Sequence, residues 1–240
     1  MAFRREFRVA RGVVVLVLLC APVLRAQEPS AAQVIARIDA AVQYRYEHVL
    51  GFTDIEHYAV FRGQDETHPV AEMTVKTTYR KGVGKSYEVL KESGSVLLLK
   101  LGLHPLLDNE REVNLPGNVE QSWFNSANYA MELKPGGVQR IDGRDCYALA
   151  VRARRKATNA IDGTLWVEAQ SGMIVRLDGV ATKSPSPLTG ASHMMREYMN
   201  LNGFPMAAHA RAESTSLLLG RTVVKIDYGS YQIEATAGAR

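Results

Sequence analysis

The chain contains only two cysteines among its 240 residues, and this scarcity excludes a disulfide framework. Cys20 lies in the N-terminal apolar segment, and the second cysteine is Cys146. If export removes the N-terminal segment, Cys146 has no partner within the chain. It begins the apolar stretch Cys146–Val151, which predicts a buried thiol rather than a nucleophile. The remaining chain is long enough to be stabilised by a hydrophobic core of its own.

The sequence also lacks the spacings that mark catalytic and metal sites. Its six histidines are scattered singly, without an HxxxH pair, which predicts no structural metal. There is no GxSxG motif. The GVGKS segment at 82–86 resembles the end of a phosphate-binding loop, but Tyr79 stands where that loop needs a glycine. We interpret this segment as a hairpin turn, and we expect a protein that is not an enzyme and binds no cofactor.

The first 26 residues are typical of an export signal. Four arginines, at positions 4, 5, 8 and 11, precede the apolar run Val13–Leu19, which is too short to span a bilayer as a helix. The pattern predicts cleavage after about Ala26, a periplasmic location and a single domain over 27–240. An N-terminal lipid anchor on Cys20 is the alternative, although Leu19 is larger than the residue that usually precedes such a cysteine.

Export would also remove the positive charge of the chain. The full chain has 29 basic and 25 acidic residues, and residues 1–26 hold five of the former and one of the latter. Basic and acidic residues then balance, which argues against nucleic acid as a partner. One basic run remains, and we interpret it either as a solvated strand end or as a rim for anionic head groups or an acidic partner. It consists of Arg152, Arg154, Arg155 and Lys156.

One helix is predicted with clear ends, from Ala31 to His48. Ser30 is a good N-cap, and Gln33 three residues later completes a capping box. Gly51 is predicted to end the helix. Apolar residues recur along it at helical spacing and give it one apolar face: Val34, Ile38, Ala41, Val42 and Val49.

Most of the remaining chain alternates apolar and polar residues, which is typical of antiparallel strands with one buried face. Asp142-Gly143 is a strong hairpin-turn signal. A sheet of this size must curl. Nine or ten strands are predicted, and the segments are 53–62, 70–80, 85–91, 129–134, 144–152, 164–169, 173–183, 192–200, 205–214 and 222–228.

A leucine-rich segment, residues 95–112, interrupts the strands. Gly102 and Pro105 are predicted to divide it into two short helices. These helices are available to cover the concave face of the curled sheet. The strands also carry several methionines, which suit surfaces that adapt to apolar ligands but are equally ordinary core residues.

Three segments resemble the outer-membrane lipoprotein-sorting proteins, the LolA/LolB-like superfamily. They are WFNSANY at 123–129, IDGRDCY at 141–147, and the stretch from Asp162 to Lys183, which is the most specific. The resemblance extends over about residues 30–228. It implies a mainly β fold with some α: a large curved antiparallel sheet that forms an incompletely closed β-barrel, covered by the N-terminal helix and short lid helices.

The resemblance also implies a function. We expect an exported, non-enzymatic carrier that binds acyl chains of lipids or lipoproteins in an apolar half-barrel cavity and takes part in lipoprotein sorting or envelope lipid traffic. We expect a monomer, with a membrane-associated donor or acceptor protein as a further partner. The main alternative is a periplasmic sensor or interaction module on the same fold that binds a partner protein. An envelope enzyme is a further alternative, which convergent His and carboxylate side chains in the cleft would favour.

Candidate site residues follow from this resemblance combined with the strand pattern. Plain core is the alternative for each of them, because a slip of one residue exchanges the two faces of a strand. The expected cavity wall is Met73, Val75, Tyr79, Tyr87, Leu149, Val151, Val175, Leu177, Met199 and Met206. The expected lid residues are Leu97, Leu98, Leu101, Leu103, Leu106 and Leu107.

Overall fold

The computed structural model describes residues 28–184, 190–217 and 219–236. The predicted export signal, its cleavage site and Cys20 lie outside these residues. None of the helices within these ranges combines the length and the hydropathy that a membrane-spanning helix requires.

Helix α1, Ala31–His48, has the predicted bounds. Its capping box is confirmed: the Gln33 amide N–H donates to Ser30 Oγ at 3.3 Å, and the Ser30 amide N–H donates to Gln33 Oε1 at 2.8 Å. Two N–H groups that lack helical acceptors are thereby satisfied. The apolar face of α1 is buried at Val34 and Ile38.

The prediction that Gly51 ends the helix is wrong. The chain passes from His48 directly into a strand that begins at Val49, and Gly51 lies inside that strand. A Cβ atom at Gly51 would stand 2.9 Å from the carbonyl oxygen of Tyr79. The glycine therefore permits the close approach of a neighbouring strand, and it does not cap the helix.

Eleven strands form one antiparallel sheet in the order β3-β2-β1-β11-β10-β9-β8-β7-β6-β4, with the short β5 paired to β6. The two ends of this path, β3 and β4, do not pair within the described part of the chain, so the barrel is incompletely closed as expected. The bounds are β1 Val49–Arg62, β2 Ala71–Arg80, β3 Gly84–Gly94, β4 Tyr129–Leu133, β5 Gln139–Ile141, β6 Arg144–Ala153, β7 Ile161–Glu168, β8 Ile174–Ala181, β9 His193–Leu201, β10 Phe204–Ser216 and β11 Gly220–Ala235.

The strand predictions hold apart from one additional strand and several strand ends: β1 begins at Val49 rather than at 53, and β3 ends at Gly94 rather than at 91. The three-residue β5 was not predicted, although the turn that follows it was: Asp142 has φ of 48° and Gly143 has φ of 77°, as a type I′ hairpin turn requires. Strand β11 continues beyond its predicted end to Ala235. It does so through an irregularity at Ser230, whose φ is 55°, where the register with β1 shifts.

The leucine-rich segment forms one continuous helical run, 96–113, rather than two separate helices. It consists of α2 (Val96–Leu98), a π-helical turn (Leu99–Leu103) and α3 (His104–Val113). Pro105 lies in the first turn of α3. The wider π turn before it relieves the need for a hydrogen bond that proline cannot donate, so the run bends without breaking. We call residues 96–113 the lid segment.

Helix α1 and the lid segment cover the same face of the sheet. Met194 and Tyr198 of β9 pack in the cluster formed by α1, and Arg196, between them on the same face, lies 3.9 Å from Glu110 of the lid segment. Glu110 also lies 3.4 Å from Lys85 of β3. Four strands separate β3 from β9, so a flat sheet would hold them roughly 24 Å apart. The sheet therefore curls around the lid segment.

Three apolar clusters form the core on this concave face. The α1 cluster joins Val34 and Ile38 to strands β4, β6, β7 and β8. The lid cluster joins the inward leucines of the lid segment to β1 and β2. A third cluster is centred on Phe204 and Met206 of β10.

The packing of α1 can be tested at the turn between β7 and β8. Gly172 has φ of 72°, and a Cβ atom there would stand 2.5 Å from the carbonyl carbon of Arg37 in α1. Gly143 has a similar φ of 77° but open space around it. Gly172→Ala should lower the free energy of unfolding by about 1–3 kcal/mol more than Gly143→Ala, since only Gly172→Ala also forces a steric clash with α1. Urea denaturation measures the difference, and equal losses would contradict this packing.

Candidate functional site

All six predicted lid leucines lie on the lid segment, and they divide between its two sides. The inward side, which packs against β1, β2 and β3, carries Leu98, Leu103, Leu106 and Leu107. Leu97 and Leu101 point outward, with 55% and 69% of their surface exposed. The lid segment is therefore apolar both toward the sheet and toward solvent.

The ten predicted cavity residues are all buried or half-buried, but they fall into separate groups. The lid cluster contains Met73, Val75 and Tyr87. The α1 cluster contains Leu149, Val151 and Leu177, and the third cluster contains Met199 and Met206. Tyr79 stacks on Phe52 with 5.2 Å between the ring centroids, and Val175 is buried where the register of β7 and β8 shifts.

Charged side chains lie between these apolar groups. Asp54 and Glu56 of β1 are each only 2% exposed. With them lie Lys85 of β3, Glu110 of the lid segment and Arg196 of β9. We call these five residues the interior charge cluster. None of them was among the predicted site residues.

The sequence carried a signal for two of these residues. Asp54 and Glu56 fall in phase with Tyr58 and Val60, which are buried beneath the lid segment, because alternate residues of a strand share a face. The Tyr58 hydroxyl donates to Glu56 Oε2.

Lys85 belongs to the GVGKS segment, whose interpretation as a hairpin turn between β2 and β3 is confirmed. The turn itself gives no indication that the Lys85 ammonium enters the interior.

Glu110 links the lid segment to both sides of the concave sheet. Burial alone would raise the pKa of Glu110, but Lys85 and Arg196 lower it. Burial would lower the pKa of Lys85, but Glu110 and Glu56 raise it. Both groups are therefore charged at neutral pH in the folded protein. Their contact exists only while the lid segment covers the sheet.

Asp54 is the carboxylate without a matching cation, since three carboxylates face two cations in the interior charge cluster. Neither of its oxygens makes a well-formed hydrogen bond within the described part of the chain. The nearby Tyr231 hydroxyl lowers the pKa of Asp54, but it donates its hydrogen bond to the carbonyl oxygen of Ala207 at 2.9 Å. Burial, and then the charge of Glu56, raise the pKa of Asp54 to about 7, against the opposing effects of Lys85 and Tyr231. Proton uptake by Asp54 restores charge balance.

Asp54 also belongs to a row of buried polar groups. It pairs with Thr77 on β2, and Thr77 pairs with Tyr87 on β3. The hydroxyl oxygens of Thr77 and Tyr87 are likewise buried without a partner among the described residues. An unsatisfied buried polar group costs about 1–3 kcal/mol. The Tyr87 side chain packs against the lid cluster, so its unsatisfied hydroxyl opposes the apolar contacts that hold the lid segment on the sheet.

The histidines lie away from the interior charge cluster. Where they contact carboxylates in the described part of the chain, each histidine side chain is at least 41% exposed. No group of three or more His, Cys, Asp and Glu side chains within the described ranges is arranged to hold a metal ion. Cys146 is buried in β6 as predicted, and burial raises the pKa of its thiol.

The basic run lies at the end of β6 and in the loop that follows. Arg154 Nε donates to the carbonyl oxygen of Ser126 at 3.2 Å, and Arg155 Nη2 donates to that of Gln121 at 2.8 Å. These bonds hold the loop against the segment that precedes β4. They favour the structural interpretation for two of the four residues, while Arg152 and Lys156 are exposed.

The contribution of the lid carboxylate can be measured with Glu110→Gln. This change removes the carboxylate that forms ion pairs with Lys85 and Arg196. It should lower the free energy of unfolding at neutral pH by about 1–3 kcal/mol, which is less than for a fully buried pair because Glu110 is partly exposed. Glu112→Gln, on the same helix and exposed, is the control.

The folded-state pKa of Glu110 is lowered, so the loss should be complete above its ordinary value of 4.5 and disappear as the pH falls below that value. Equal effects of the two variants in urea denaturation at neutral pH would argue against the ionic contact.

The pH response of Asp54 has the opposite sign. Because its pKa is raised from 3.8 to about 7, ionisation destabilises the folded state increasingly as the pH rises through this range. Asp54→Asn should therefore gain about 2–3 kcal/mol of stability over the wild type between about pH 5 and about pH 8. Asp108→Asn, exposed on the lid segment, is the control. A stability difference that does not change with pH would rule out this assignment.

No protein-family profile matches the chain, and no curated protein does. Among solved structures, a protein domain from Vibrio parahaemolyticus named for outer membrane lipoprotein sorting is 11% identical, with coverage of 87% of this chain and 95% of that chain and a TM-score of 0.47. A LolA superfamily protein from Nitrosomonas europaea is 12% identical, with coverage of 86% and 94% and a TM-score of 0.43.

The Pseudomonas aeruginosa MucA/MucB complex is a further match, at 11% identity, coverage of 86% and 95%, and a TM-score of 0.30. At these identities and TM-scores the likenesses are distant, and they assign neither a family nor a function to this chain.

Proposed function

We propose that this protein is an exported, non-enzymatic, monomeric carrier that binds acyl chains of lipids or lipoproteins beneath the lid segment. The observation that supports this most is the lid cluster. In it, leucines from a helical run with a π turn pack on apolar residues of β1 and β2. This arrangement supplies an apolar surface together with a separable cover.

An acyl chain can replace the contacts that the lid leucines make with the sheet. Each buried methylene contributes about 0.8 kcal/mol, and burial of a whole leucine side chain contributes about 1.5–3 kcal/mol. A chain of several methylenes therefore equals the contribution of a few leucines. Outward movement of Leu98, Leu103 and Leu107 would expose Met73 and Val75, which lie beneath them.

The polar groups beneath the lid segment keep the closed state from becoming too stable. Tyr87 packs against the lid cluster, and its hydroxyl is buried without a partner among the described residues. Glu110 has the opposite effect, because Lys85 and Arg196 lower its pKa despite its burial, so these contacts favour closure. A carrier must release its ligand, so a cover of limited stability suits this function.

Native mass spectrometry with lipid extraction, on the protein purified from the periplasm, tests the proposal. We expect a co-purifying acylated species. Leu106→Asp places a charge on the inward side of the lid segment and should abolish co-purification. Leu101→Asp places the same charge on the outward side and should retain it. Circular dichroism and thermal denaturation establish that both variants fold.

If wild-type protein shows only the mass of the free protein under conditions that preserve lipid complexes, the result contradicts the carrier proposal. So would retention of the acylated species by a folded Leu106→Asp variant.

A second candidate, an interaction module for a partner protein, is favoured by apolar side chains on the outside. Val96, Leu97 and Leu101 of the lid segment are exposed by 62%, 55% and 69%, and Leu90 on the edge strand β3 by 51%. Exposed apolar surface of this kind is typical of protein contacts. A wild-type protein without lipid, together with a co-purifying protein that is lost in Leu101→Asp, would favour this candidate over the carrier.

A further inference from the structure

A second cleft lies outside the lid cluster, between α1 and the turn that joins β9 to β10. Its volume is about 700 Å³, within the range typical of small-molecule sites. It shares no residue with the lid cluster. Its walls are largely apolar and include Ala40, Ala41, Tyr44, Met173, Phe204 and Pro205.

Arg45 of α1 is the charged residue that lines this cleft. Its Nε donates to the carbonyl oxygen of Pro205 at 3.1 Å, and its Nη2 contacts the sulfur of Met206 at 3.7 Å. Its Nη1 donates to no residue in the described ranges, and no carboxylate in those ranges forms an ion pair with it. The guanidinium is thus held by one carbonyl group and one weak sulfur contact.

Arg45 is half-buried. Burial lowers the pKa of its guanidinium, and the side chains of Tyr79, Tyr198 and Tyr231 oppose that shift. Tyrosines are neutral at physiological pH, so they supply no counter-charge there. Partial desolvation of a cation without a counter-charge is costly, whereas a neutral side chain could also donate a hydrogen bond to the Pro205 carbonyl oxygen. This arrangement needs an explanation beyond packing.

The other polar groups at the cleft do not supply a negative charge to Arg45. Ser171 donates its hydroxyl to Glu168. The side-chain oxygen of Asn200 accepts the amide N–H of Gly203 at 2.9 Å. The cleft therefore combines apolar walls with one cation whose planar donors suit a carboxylate.

We propose that this cleft binds an amphiphile with a single anionic group, a fatty carboxylate, whose head group pairs with Arg45 and whose chain lies between α1 and β10. The site goes beyond the carrier function proposed above and does not depend on the lid segment. Because Arg45 would pair with the carboxylate, this cleft would bind acyl chains with a free carboxylate more tightly than neutral acyl chains.

Isothermal titration of the exported protein with decanoate, 1-decanol and acetate tests the site. Wild-type protein should bind decanoate at least tenfold more tightly than 1-decanol. Arg45→Gln should weaken decanoate binding at least tenfold, which is about 1.4 kcal/mol, and leave 1-decanol binding unchanged. Arg37→Gln is the control, because Arg37 lies on the same helix, is exposed and donates to the carbonyl oxygen of Ala169 instead.

A second variant keeps the test decisive if Arg45→Gln does not fold. Ala40 is exposed at the rim of the cleft, so Ala40→Glu adds a negative charge without disturbing the core and should weaken decanoate binding alone.

Equal binding of decanoate and 1-decanol, or no effect of either variant, would overturn the proposal. Acetate binding as tight as decanoate binding would also overturn it, because the apolar walls would then contribute nothing. Leu106→Asp should retain decanoate binding at this cleft, so failure of the carrier proposal and failure of this one give different results.

Discussion

The closed form depends on one carboxylate, Glu110, which reaches from the lid segment to cations on two distant strands. Lys85 on β3 and Arg196 on β9 lie within 4 Å of it, although four strands separate β3 from β9 in the sheet. This contact requires a strongly curled sheet and a lid segment inside the curl. The curl of the sheet, the position of the lid segment and the interior charge cluster are therefore coupled through this contact.

Apolar and polar effects oppose each other beneath the lid segment. The buried leucines of the lid segment stabilise its contact with the sheet. The hydroxyl of Tyr87, whose side chain packs against these leucines, is buried without a partner among the described residues. The pKa of Asp54 is raised for a similar reason, because burial and the charge of Glu56 disfavour its ionised form. The α1 cluster differs, because Val34 and Ile38 fill the concave face there and pack on buried apolar residues of β4, β6, β7 and β8. One end of the half-barrel is thus a stable core, and the other end is suited to open.

Local sequence patterns predicted local structure well, but they did not predict contacts between residues that are distant in the sequence. The Ser30 capping box, the alternation of β2 and the hairpin turn at Asp142 depend on neighbouring residues, and all were predicted. The end of α1 was not, because Gly51 serves a contact with β2 that no local pattern reveals. The interior charge cluster joins residues from β1, β3, β9 and the lid segment. Its members could be assigned to one site only after the curl of the sheet was known, although the phase of Asp54 along β1 was a signal available beforehand.

Hydrogen–deuterium exchange on the wild-type protein, followed by mass spectrometry, tests most directly whether the lid segment is a separable cover. We expect the amides of residues 96–113 to exchange through a local opening, with a free energy well below that of global unfolding. The amides of α1 should exchange only through global unfolding. Equal protection of the two helical segments, both matching global unfolding, would contradict the account, since the lid segment would then be part of one indivisible core.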